Sequence, residues 1–138
     1  MTQSANLPTI GVVAGVGPFA GLDLMQKIAQ ETVAKIDQDH LTVFSISQPN
    51  TIFDRTEILQ GLVTVNPGLA IGAQIRQLAQ QGATLIGVPC NTAHAEPIWE
   101  VIQQETADLP ITLFHMMREV GQFLSNSFPQ VRRVGVLS

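Results

Sequence analysis

Residues 88–94 read V-P-C-N-T-A-H, and Cys90 is the only cysteine of the chain. The pattern predicts that it follows a strand and opens a helix, where the positive end of the helix dipole and unpaired N–H groups favour a nucleophilic, basic thiolate. A free cysteine is more often a small buried hydrophobe. Its neighbours argue against that fate, because Asn91 and Thr92 carry donors suited to a carboxylate or a carbonyl. His94 could touch the thiol from the first helical turn, but a partly exposed first-turn position is the stronger expectation. One Cys and one His are too few ligands for a metal.

A second candidate is A-G-V-G-P (14–18), which with Ala20 spells G-x-G-x-x-A between a strand and a helix. As a dinucleotide fingerprint it needs an acid at the carboxyl end of the next strand. Ser47 and Gln48 stand there instead, while Asp37 and Asp39 precede the strand. A backbone approaching a small anion fits better. Tight strand-to-helix packing is the competing explanation.

Arg55 is the third candidate. Lys27, Lys35, Arg76 and Arg118 are expected on solvent-facing helix sides, and Arg132 and Arg133 precede a strand at the far end. That leaves Arg55 as the one basic residue in a loop at the carboxyl edge of the sheet. A guanidinium there can hold a carboxylate by two parallel hydrogen bonds. The alternative is a solvated ion pair with Asp54 or Glu57, worth little.

The elements that must position these residues alternate along the chain. Apolar, β-branched runs predict strands at 9–14, 41–47, 84–88, 111–115 and 131–138. Between them, Pro18 suits a first helical turn, and Leu22, Met25, Ala29, Val33 and Ile36 recur at helical spacing. Asn66 and Pro67 open a helix with Ile71, Ile75, Leu78 and Ala79 on its inner face, and Gly82 stops it. The helix after Cys90 is expected to bury Ile98, Val101 and Ile102 with Trp99 half exposed; a helix over 116–127 should turn Val120, Phe123 and Leu124 inward. This order implies an α/β fold, a parallel, flavodoxin-like sheet flanked by helices, with the ligand at the carboxyl ends of the strands.

Composition narrows the function. The chain has 138 residues, 45% apolar and 13% charged, enough for one core. A net charge of -4 with no basic run argues against nucleic acid or a polybasic membrane patch. There is no secretory pattern at the N-terminus and no apolar run long enough to span a bilayer. A lone cysteine cannot build an internal disulfide framework, so the reducing cytoplasm is the expected location.

P-C-N-T-A-H, the D-R-T at 54–56, the D-Q-D-H-L at 37–41 and the G-V-G-P after the first strand, in this order, resemble the aspartate racemase branch of the aspartate/glutamate racemase superfamily. The resemblance covers essentially the whole chain. It implies an enzyme without pyridoxal phosphate or metal, in which two cysteines from two similar α/β domains face each other across a cleft. One removes the α-proton of the amino acid, and the other returns a proton from the opposite side. On this resemblance Cys90 is the first thiol, Asn91 and Thr92 are substrate-carboxylate ligands, and Arg55 binds the acidic substrate. Gln48 is assigned to the same substrate site, and Val16 to the pocket wall.

The chain departs from the family in two places. A-G-V-G-P replaces G-G-M-G-P, so Ala14 and Val16 alter the wall. The run 131–138 looks like the first strand of the second domain, which makes 1–115 one domain and 116–138 the start of another that is otherwise absent. The functional expectation is a racemase of aspartate or glutamate, with a homodimer as the assembly the family suggests. The alternative is a catalytically incomplete domain that binds a small carboxylic acid or serves in assembly.

Overall fold

The protein is described here by a computed structural model covering residues 7–136. Four short strands, β1 (Ile10–Val13), β2 (Val43–Ile46), β3 (Leu85–Gly87) and β4 (Thr112–Phe114), form one sheet in the order β2-β1-β3-β4 with every pairing parallel. The parallel α/β expectation holds, with each strand shorter at its ends than its apolar run.

Among the described residues five helices connect and flank the sheet: α1 (Pro18–Glu31), α2 (Arg55–Leu59), α3 (Pro67–Gln80), α4 (Glu96–Glu105) and α5 (Met116–Ser127). Asn66 caps α3 by accepting from the Gly68 N–H at 2.8 Å, and Gly82 follows it at φ 98°, as the cap and stop residues predict. The short α2 was not legible as a helix. It forms because the Asp54 carboxylate accepts from the backbone N–H groups of Thr56 and Glu57 at 2.7 and 3.1 Å.

The two faces of the sheet are covered unequally. On one face α3 and α4 pack on each other and on the strands, burying Ile71, Ile75, Leu78, Ile86, Ile98 and Ile102. Each fully buried aliphatic side chain of this size is worth about 1.5–3 kcal/mol. A bidentate pair from Arg76 to Asp108, at 3.1 and 2.5 Å, ties α3 to the turn after α4. On the other face α1 and α5 flank an apolar groove of about 400 Å³ lined by Ile10, Leu24, Ile28, Leu85, Val88 and Phe114.

Several expectations are corrected on this second face. The stripe of α1 that meets the sheet is Gly21, Leu24 and Ile28; Leu22 is exposed, and Val33 (97% exposed) and Ile36 lie beyond the helix end at Glu31. Thr32 stops the helix early, its hydroxyl donating to the Ile28 carbonyl at 2.6 Å. In α5 no residue is buried: Val120 and Phe123 are exposed and Leu124 is half-buried. Residues 131–136 form no strand, because they pair with no sheet edge; Leu137 and Ser138 lie outside the described residues. Trp99 is 4% exposed rather than half exposed, since it stacks inward on His94.

Gly21 is where α1 crosses β1 most closely. A Cβ there would stand 2.6 Å from Ala14 Cα and 2.9 Å from Ala14 O, backbone atoms that no rotamer change can move. Gly21→Ala gains about 1 kcal/mol of helix propensity. Overpacking costs about 1–3 kcal/mol, and a backbone clash belongs at the upper end. The variant should be less stable by about 1–2 kcal/mol, read as a lower denaturant midpoint at unchanged slope. A midpoint at or above wild type would show that α1 does not pack this tightly.

Candidate functional site

The strand order places a topological reversal between β1 and β3, where one connection leaves to one side and the next to the other. Ligands of open α/β sheets bind beyond the carboxyl ends of the strands at such a point. The loop after β1 (14–17) and the loop after β3 (88–91) flank it, and the loop after β2 (47–54) lies beside the first.

Gly15 joins two of these loops. A Cβ at this position would meet Gln48 N at 2.8 Å and Pro49 N at 3.1 Å, so the β1 and β2 loops touch backbone to backbone. Gly17 turns the chain into α1 at φ 116°, and Pro18 starts the helix. Tight packing is therefore what Gly15 provides, while Gly17 provides the turn. Val16 is 2% exposed and belongs to the core cluster. The sequence placed it on the pocket wall; in the structure the loop bends so that this side chain faces inward.

Cys90 is half-buried and packs against the edge of the core, with Asn91 exposed and Thr92 half-buried. The helix it was expected to open begins only at Glu96; a single 3₁₀ turn, Thr92–His94, intervenes. Pro97 explains the delay, because proline sits best in a first helical turn and so places the start next to itself. The thiol thus sits on a loop held by its backbone, not on the end of an α-helix. The Cys90 N–H donates to Val88 O at 2.8 Å, and the His94 N–H donates to Asn91 O at 3.0 Å.

His94 differs most from expectation. It is 5% exposed, and its ring lies 2.8 Å from the Cys90 carbonyl oxygen rather than against the thiol. It stacks on Trp99 with centroids 4.7 Å apart and meets the edge of His115 at 4.8 Å. The stripe of apolar positions after Cys90 gave no sign of this cluster, which needs residues from three separate elements.

Arg55 begins α2, and α2 packs beside the Thr92–His94 turn, so the structure brings the arginine and the cysteine motif to one edge of the sheet. Among the described residues Arg55 forms no ion pair with Asp54 or Glu57. Asp54 is engaged with the backbone, and its N–H bonds to Glu57 and Thr56 hold its carboxyl below the usual range. Arg55 Nε is buried with no acceptor among the described residues, an unpaired donor beside the cysteine motif.

Gln48 is exposed at the start of the 3₁₀ turn Pro49–Thr51. Its carbonyl accepts from the Thr51 hydroxyl at 2.8 Å, and that hydroxyl accepts from Gln74 Nε2 at 3.1 Å. Gln74 is 2% exposed and ties the loop to α3. Its signal was available in the sequence: a glutamine at the apolar spacing of Ile71, Ile75 and Leu78. Among the described residues no three of His, Cys, Asp and Glu converge as a metal site, and no helix is long and apolar enough to cross a membrane.

This arrangement has counterparts. The family model for Asp/Glu/hydantoin racemases matches residues 13–138. The chain belongs to that family. Its fold is that of the aspartate racemase of Picrophilus torridus, with a TM-score of 0.73 and 30% identity over 88% of this chain and 49% of that one. An aspartate racemase homologue from Pyrococcus horikoshii OT3 matches with a TM-score of 0.67 at 18% identity, over 88% and 50% of the two chains, and supports the fold alone. The chain therefore spans about half the length of these solved relatives.

The aromatic cluster carries a pH dependence. Burial first, then His94 and Arg118, hold His115 below its ordinary value of 6.5. As the pH falls through 6.5 the unfolded chain takes up the proton before the folded one, so the stability from neutral His115 is complete above 6.5 and declines toward the lowered folded value. His115 also accepts from the Arg118 N–H at 3.3 Å, an acceptor role that asparagine can keep. His115→Asn should lose less stability than wild type between about pH 7 and about pH 5, measured as the shift in melting temperature. Parallel curves would show that His115 titrates alike in both states.

Proposed function

We propose that this chain acts in the racemisation of an acidic amino acid, aspartate or glutamate, supplying one of the two thiols and the carboxylate-binding arginine. The observation that carries this reading is the approach of α2, which Arg55 begins, to the Thr92–His94 turn that follows Cys90, with Arg55 Nε buried and without a partner among the described residues. The likeness to the aspartate racemase of Picrophilus torridus and membership of the racemase family support it.

In the proposed reaction Arg55 receives a substrate carboxylate, and Gln48, Asn91 and Thr92 offer polar contacts around it. Val16 contributes through the shape of the buried turn. Cys90, as thiolate, removes the α-proton from one face of the bound amino acid. The substrate carries the resulting electron pair at the α-carbon until a proton arrives from the opposite face. Inversion requires that second acid in place before the reaction starts. Cys90 is the only cysteine of these 138 residues, and on this reading the returning proton comes from a second acidic group facing it across the cleft. A division after residue 115 and a cytoplasmic, cofactor-independent enzyme belong to the same reading.

Two measurements test it. Iodoacetamide should alkylate Cys90 in the native chain, and whichever acidic amino acid binds should slow that reaction by covering the sulfur. In heavy water the same ligand should exchange its α-proton slowly, an exchange lost in Cys90→Ala. Alkylation only after unfolding, with no exchange, returns Cys90 to a packing role.

Arg55 is tested separately. Arg55→Lys keeps the charge and loses the planar fork, and should weaken protection of Cys90 by aspartate or glutamate about tenfold. Its effect on stability should be below about 1 kcal/mol. Undiminished protection in the lysine variant would remove Arg55 from the substrate site.

A further inference from the structure

We infer that His94 is the positioning residue of the Cys90 thiol, holding the loop through an Nδ1–H bond to the Cys90 carbonyl. The inference rests on the reading of Cys90 as the reactive thiol.

Nδ1 lies 2.8 Å from the Cys90 carbonyl oxygen, and Nε2 lies 3.4 Å from the Phe114 carbonyl oxygen. A carbonyl oxygen only accepts, so the nitrogen at the shorter distance must carry the hydrogen. Neutral imidazole has one N–H, which selects the Nδ1–H form and leaves the longer contact as a weak approach.

The consequence falls on Cys90. Its N–H is already given to Val88 O, so the His94 bond uses the second of its two backbone groups. With both held, rotation about the side-chain bond is the main freedom left to the sulfur. His94 can enforce this because it is fixed itself: stacked on Trp99 at 20° between ring planes, edge-on to His115 at 68°, and almost fully buried. The cluster reaches from the thiol loop to α4 and to the end of β4. It places stacked, buried aromatic rings directly behind the residue whose direction matters most.

His94→Phe keeps the stacking and removes the donor, whereas His94→Asn offers an amide N–H near the position of Nδ1. Proton–nitrogen correlation NMR of the imidazole rings in the native chain should place the His94 hydrogen on Nδ1. A hydrogen on Nε2 alone would overturn the inference, since two lone pairs would then face each other. Alkylation of Cys90 by iodoacetamide, without any amino acid present, should slow about fivefold in His94→Phe, the worth of one neutral hydrogen bond. It should recover in His94→Asn to within about twofold of wild type. Equal rates in all three proteins sink the proposal, as does an asparagine variant as slow as the phenylalanine one, which would make the ring's packing the whole contribution.

A variant that fails to fold betrays itself by faster alkylation and a lost melting transition, and the NMR result on the wild-type chain then decides. The two readings fail separately. Missing protection by acidic amino acids in wild type counts against the substrate site, while the ligand-free alkylation rates and the imidazole spectrum report on His94 alone.

Discussion

β1 is bonded on both edges, to β2 on one side and to β3 on the other, and every part of the candidate site hangs from those two ladders. Four residues, Ile10–Val13, therefore set the spacing between the Gly15 loop, the Gln48 loop and the Cys90 loop. Parallel pairing forces each connection to cross over as a helix, so the three loops emerge together at one end. Two close backbone approaches lie around this strand. Ala14 takes the weight of α1 at Gly21, and Gly15 lets the neighbouring loop press against it.

The unequal faces of the sheet follow from how the chain uses its apolar residues. α3 and α4 place isoleucine and leucine against the strands and against each other, and they hold the core. α1 and α5 leave an apolar groove between them, and Phe19, Leu22 and Phe123 face solvent. A protein of this family about twice as long has more chain with which to cover such surface; this chain spans about half the length of its solved relatives.

At the site, polar groups are held by backbone more than by charge. Asp54 gives its carboxylate to a helix end, and the adjacent Arg55 forms no ion pair among the described residues. Gln74 and Thr51 brace the Gln48 loop from inside the core, and His94 braces the Cys90 loop from behind. These supports are short-range and directional, which is how a site made of loops acquires a defined geometry.

The sequence by itself determined the parallel α/β class, the order of the four strands along the chain, the caps at Asn66 and Gly82, and the family through its cysteine and D-R-T motifs. These are local matters: runs of β-branched residues, turn residues at element ends, and short motifs whose members are neighbours in the chain. Tertiary structure alone decided that Val16 and Trp99 are buried, that His94 faces a carbonyl instead of a thiol, and that α1 meets the sheet through Leu24 and Ile28. It also decided that 131–136, although rich in valine, is not a strand among the described residues, for β4 remains the outer edge of the sheet. Burial and strand pairing depend on what arrives from elsewhere in the chain. Periodicity names the residues able to pack, and only the partner surface selects which of them do.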